Sequence, residues 1–223
     1  MNAVLLTILI VYTVALAALL GTLIFKEKRV FFFPAKVSCS LLFLILGIYC
    51  EVTEGIWRAD LLIIAGFVFC FVGDVILGLF NMRKNKKFFV SGTLFFLFGH
   101  IAFILATCMA VEPDVKELII PLLAELMLYV LLKKKNITMK KLIPVLYIYA
   151  LFVSGFMARA ISIFLFMGTR GALLLMIGSI LFFISDTLIF FLYFVRDHRW
   201  STHGWNLATY YVGMALIGLS IFF

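Results

Sequence analysis

The chain has 223 residues, of which 65% are hydrophobic and only 13% charged, with a mean hydropathy of +1.21 and a formal net charge of +8. A soluble domain is about half apolar, so this composition excludes one and predicts an all-α, polytopic membrane helical bundle. Little sequence separates the apolar runs, and residues 1–223 are expected to form a single integral membrane domain.

A membrane-spanning helix takes about 20 mainly apolar residues. Tiling the chain by that rule gives eight candidate transmembrane helices, over residues 3–25, 37–50, 59–80, 88–110, 116–132, 142–158, 171–195 and 205–222. The first run, Met1 to Phe25, has no Lys or Arg at its front and a longer apolar stretch than a signal peptide carries, so it is expected to be a span. Basic residues mark the turns after spans one, three, five and seven: Lys26, Lys28, Arg29 and Lys36, then Arg83, Lys84, Lys86 and Lys87, then Lys133, Lys134, Lys135, Lys140 and Lys141, then Arg196 and Arg199. The other turns hold only Arg58, Lys116, Arg159 and Arg170. The positive-inside rule then places the odd turns in the cytoplasm and both termini outside. Topology and attraction to anionic lipid headgroups account for the net positive charge, and no nucleic-acid partner is expected.

The two halves echo each other. "GFVFCFVGDVILGLF" (66–80) aligns with "GSILFFISDTLIFFL" (178–192), each running from Gly through seven residues to an Asp preceded by a small residue. "FFLFGHIAFIL" (95–105) follows suit against "TYYVGMALIGL" (209–219). This suggests a parallel 4+4 internal repeat, with halves 1–112 and 113–223, in which Asp74 and Asp186 are counterparts.

Acids inside spans are the strongest functional signal, because a carboxylate in the bilayer costs several kcal/mol by rough estimate unless it is protonated, paired or facing water. Asp74, Glu125 and Asp186 are the acids that fall in the interior of candidate spans, more than two residues from either end. At a rise of about 1.5 Å per residue they lie roughly 10 to 15 Å from the basic ends of their helices, near the depth of Tyr147, Tyr149, Tyr210 and Tyr211; His100 is deeper, at about 20 Å. A shared layer describes a pocket opening toward the cytoplasm, whereas interhelical hydrogen-bond staples would scatter in depth.

Several chemistries lack support. There is no G-x-S-x-G elbow, and no span pairs a Ser or Cys with a His. Cys39, Cys50, Cys70 and Cys108 show no C-x-x-C spacing and read as packing residues. A zinc hydrolase would want two or three His ligands, but only His100 lies in a span, with His198 and His203 in a polar turn. A presenilin-like aspartyl protease would show G-x-G-D where this chain has Phe71-Val72-Gly73-Asp74. No metal and no cofactor are expected.

Lys36 ahead of span two, "VGD" (72–74), "FFLFGH" (95–100), "GSILFFISD" (178–186) and "TYYVGMALIGLS" (209–220), in that order over essentially the whole chain, resemble the lysoplasmalogenase (YhhN) family of eight-span proteins. The chain departs from the family pattern at Val37-Ser38-Cys39, where a Pro often follows the Lys, and at Phe103, where a Tyr is usual. The resemblance implies hydrolysis of the vinyl ether bond of a lysoplasmalogen, releasing a fatty aldehyde and a glycerophosphoethanolamine or glycerophosphocholine. A multi-pass protein of a bacterial plasma membrane is expected, its substrate delivered sideways from the inner leaflet, although the sequence does not distinguish that membrane from an internal eukaryotic one.

Acid opens a vinyl ether: a proton goes to the alkene carbon, an oxocarbenium ion forms, water adds and the hemiacetal collapses. Two carboxyl groups suit this course. Asp74 and Asp186 are therefore the expected acid/base pair; the sequence does not settle which is which, though the deeper Asp186 is the less favoured acid on depth. His100 would position water or polarise an Asp, and Lys36 would hold the lipid phosphate or anchor at the surface. Glu125, Tyr149, Asn206 and Tyr211 are expected supporting contacts. Two other classes compete: a small proton-coupled secondary transporter, and a lipid-binding protein whose acids are only staples.

Overall fold

The structure is a computed structural model that describes residues 2–25, 30–54, 60–83, 85–134, 140–195 and 199–223. Lys26, Lys28, Arg29, Arg58, Lys84, Lys135, Arg196 and His198 of the sequence reading lie outside the described residues. The chain is all-helical as expected: α1 (Ala3–Ile24), α2 (Phe32–Glu54), α3 (Asp60–Arg83), α4 (Lys86–Ala110), α5 (Ile119–Lys134), α6 (Ile143–Met167), α7 (Arg170–Tyr193) and α8 (Trp200–Leu219).

Local chemistry sets several of the helix ends. Asn2, Asn85 and Thr169 accept hydrogen bonds from the free backbone N–H groups that open α1, α4 and α7. Gly168 ends α6 at φ 63°, a left-handed conformation that glycine adopts without steric cost, and Thr169 starts the next helix at once.

Six helices, α1 to α4 with α6 and α7, are long and apolar enough to cross a membrane. The other two differ for separate reasons. At 16 residues, α5 is about 24 Å long, short of a hydrocarbon core of about 30 Å. By contrast α8 has 20 residues, but its first half carries Ser201, Thr202, His203, Asn206 and Thr209.

Two spans also run further than the apolar pattern indicated. The expected span 37–50 is the middle of α2, so Lys36 and Glu51 are helical and buried. The expected end at residue 158 falls well inside α6, which makes Arg159 a buried helix residue and not a loop residue. Its guanidinium reaches the C-terminal end of α4, where it donates to the carbonyls of Thr107 (3.0 Å), Val111 and Glu112 (3.2 Å) and pairs with Glu117 at 2.6 Å. The carbonyls of Val111 and Glu112 lie just past the last residue of α4, and that of Thr107 accepts the capping Val111 N–H as well, so a buried cation there caps a helix instead of ending one.

Helices α2, α3, α4, α6, α7 and α8 pack in a closed ring in that order, α8 returning to α2. Outside it, α1 lies against α2 and α8, and α5 lies against α6. The ring pairings repeat when every helix is advanced by four. Close helix approach repeats as well. A Cβ on Gly99 would stand 3.2 Å from the Gly66 carbonyl oxygen, and one on Gly213 would stand 2.9 Å from the Gly178 carbonyl oxygen. A side chain at either position would force α3 from α4, or α7 from α8, which is why small residues recur in membrane helix contacts.

Candidate active site

Helical spacing builds one cleft from five helices of the ring. Asp74, Leu77 and Asn81 recur at i, i+3 and i+7 on α3, and Asp186, Ile189 and Tyr193 do the same on α7. His203, Asn206, Leu207 and Tyr210 come from one stripe of α8, and Phe32 and Lys36 from the first turns of α2. Together with Phe96 and Ser185 these side chains line a space of about 430 Å³, its open mouth included. Phe32, Asn81, Tyr193 and His203 lie near the helix ends where the basic turns occur, so the cleft runs inward from that end.

Asp74 is almost fully enclosed, at 2% exposure, and carries a complete set of donors. One carboxylate oxygen, Oδ1, is ion-paired with the ammonium of Lys36, which also donates to the Asp74 carbonyl at 3.2 Å. The other, Oδ2, accepts from Ser40 Oγ and from the Tyr210 hydroxyl, both at 2.8 Å. Behind this set, the Tyr211 hydroxyl lies 2.9 Å from Ser40 Oγ and 3.1 Å from the Lys36 carbonyl. Tyr12 of α1 donates to the Tyr211 carbonyl at 2.6 Å, tying the outer helix to the network. Further hydrogen bonds satisfy both partners of this buried ion pair, which offsets part of the cost of taking them out of water.

Asp186 has a sparser setting. Its Oδ2 accepts from the Tyr149 hydroxyl of α6 at 2.9 Å, and it forms no ion pair among the described residues. Asn206 fixes the backbone beside it, its Nδ2 donating at 2.9 Å to both the carbonyl and the hydroxyl of Ser185. The carboxyl borders the polar cleft and also two apolar cavities of about 530 and 480 Å³. It therefore stands where polar and apolar spaces meet.

Of the residues singled out from sequence, Asp74, Asp186, Lys36 and Asn206 line the same cleft. Tyr149 reaches it by bonding Asp186, and Tyr211 supports it from behind, fully buried. At 5% exposure Lys36 is no surface anchor; it is committed to Asp74. His100 lies apart. Its Nδ1 is 2.8 Å from the Phe96 carbonyl, which makes Nδ1 the protonated nitrogen and leaves Nε2 without a partner among the described residues. The ring meets Phe182 and Tyr149 edge-on, at centroid distances of 4.5 and 5.7 Å, with no hydrogen bond to either Asp.

Glu125 is not brought in. It belongs to α5 outside the ring, lines none of the three cavities at Asp186, and its carboxylate oxygens have no partner among the described residues. Sequence reasoning missed Ser40, whose partners come from α3 and α8, and gave Tyr210 a depth but no role. Among the described residues no three His, Cys, Asp or Glu side chains are placed to hold a metal ion.

A ring of apolar helices around a half-charged cleft defines a multi-pass helical membrane protein with a buried acid site. Residues 29–221 match the YhhN family, and the chain belongs to that family. No curated protein and no solved structure matches it.

Proposed function

We propose that this protein is a lysoplasmalogenase-like hydrolase that opens the vinyl ether bond of a lysoplasmalogen by acid/base catalysis with Asp186 and Asp74. Membership of the YhhN family supports the reaction class. The observation that carries the mechanism is the contrast within one cleft between an ion-paired Asp74 and an Asp186 that meets only a phenol.

Asp186 gives its proton to the alkene carbon, leaving a carboxylate and an oxocarbenium ion. Asp74, held as a carboxylate by Lys36, offers fixed negative charge toward that cation in a dry setting where charge acts strongly. Water adds to the cationic carbon, its proton passes to a carboxylate, and the hemiacetal collapses to aldehyde and glycerophospho-alcohol. This assignment reverses the order that depth alone suggested: pairing, not depth, separates the two acids. Lys36 serves by keeping Asp74 charged. In this reading all eight helices cross the bilayer, which thins around the short α5 while neighbouring helices shield the polar half of α8, and the cleft opens at the basic, cytoplasmic end.

The experiment is direct. Purified protein incubated with lysoplasmalogen should release fatty aldehyde detectable by mass spectrometry. Asp186→Asn and Asp74→Asn, checked for an unchanged melting profile, should both lose that release; retention by both would sink the mechanism. The repetition of helix pairings in the two halves favours a second reading, a small proton-coupled transporter built on a four-helix duplication. It requires pH-dependent flux in sealed liposomes with no chemical conversion.

A further inference from the structure

The polar cleft has an apolar neighbour built in the same way. Where the cleft takes Phe32 and Lys36 from α2, the 530 Å³ cavity takes Val145 and Tyr149 from α6. Where α8 gives the cleft His203 and Leu207, α4 gives the cavity Phe89 and Thr93, in the same relative positions. The exchanges of Lys for Tyr and His for Phe strip charge from the second cavity. The two spaces share the wall formed by Leu77, Phe96, Asp186 and Ile189. The 480 Å³ cavity beside α5 shares only Asp186 with the cleft.

We propose that the polar cleft and the 530 Å³ cavity are two halves of one amphiphile site: the head of a lysolipid occupies the cleft, its single aliphatic chain occupies the apolar cavity, and the bond joining them lies over Asp186. This rests on the hydrolase reading above and assigns the two ends of its substrate. Burying a chain between apolar walls while its head meets Asn81 and Asn206 beside the Lys36–Asp74 pair lets each end keep the surroundings it prefers. One shared wall means the chain need not leave apolar contact to put its first carbons at Asp186. Thr93 and Val145 line the apolar cavity and not the cleft, so they set the chain length accepted.

The test uses saturated 1-O-alkyl lysophospholipids with octyl, dodecyl and hexadecyl chains, which carry no vinyl ether and are not cleaved. Affinity is read by native mass spectrometry on the full chain in detergent. Wild type should bind the hexadecyl lipid most tightly. Val145→Phe should weaken hexadecyl binding by roughly tenfold while leaving octyl binding in place. Thr93→Phe, on a different helix, should do the same, so poor folding of one variant does not remove the test. Ala150→Phe, which fills the cavity beside α5, should leave the order unchanged. The proposal is overturned if wild type shows no chain-length dependence, if Ala150→Phe is the variant that shortens the preferred chain, or if the Val145 and Thr93 variants weaken every chain equally. Because these lipids are inert, absence of aldehyde from a lysoplasmalogen would count against the hydrolase reading and leave the site assignment standing.

Discussion

The two acids occupy corresponding places in the two halves of the chain, but their neighbours differ. In the first half α2 presents a Lys to the Asp of α3, and Ser40 and Tyr210 complete its shell. In the second half α6 presents a Tyr to the Asp of α7, and nothing else bonds that carboxyl among the described residues. Asp74 is 2% exposed and borders only the polar cleft, whereas Asp186 borders three cavities. Corresponding helix positions thus carry an ion-paired carboxyl in one half and a carboxyl bonded only to a phenol in the other, the contrast on which the proposed division of labour rests.

The sharpest way to break the contrast is to make the second pair a copy of the first. Tyr149→Lys puts an ammonium where a phenol donates to Asp186. The fold should hold, since the new charge has a partner, but aldehyde release should fall by about a thousandfold, the middle of the range for a lost general acid. Activity near wild type would show that pairing does not separate the two acids.

The reverse change acts on stability. Lys36→Met leaves the Asp74 charge buried and unpaired, and stranding one member of a buried pair costs about 3–5 kcal/mol. Thermal unfolding in detergent should show a large drop. Adding Asp74→Asn should recover most of it, because the orphaned charge is then gone; a double variant as unstable as the single would mean that Lys36 acts through packing alone.

That test concerns a pair the sequence showed only in part. Asp74 and Asp186 were legible because an acid in a long apolar run contradicts its surroundings, and the helical character was legible from the length of the apolar runs. Rotation about the helix axis and position in the bundle were not. Glu125 matched the others in depth yet sits on a helix outside the ring, and His100 turns to its own helix backbone. Depth is one coordinate of three. Ser40 looked like any span serine because its partners lie 34 and 171 residues away. Arg159 looked like a helix end because an unpaired cation would be one, and the carbonyls that hold it belong to another helix.

The smallest effect should come from Tyr149→Phe, which removes one hydroxyl and leaves the ring in place. A single hydrogen bond to a partly accessible carboxyl contributes about 1 kcal/mol to stability. Its loss should lower the melting temperature slightly and should not expose Asp186 to any new cation. Aldehyde release should fall by roughly tenfold at most, since the phenol orients the acid and does not carry the proton. A loss as deep as that of Asp186→Asn would instead make the Tyr149 hydroxyl the proton donor and Asp186 the group that positions it. The two halves would then differ in which helix, α6 or α7, supplies the reacting atom.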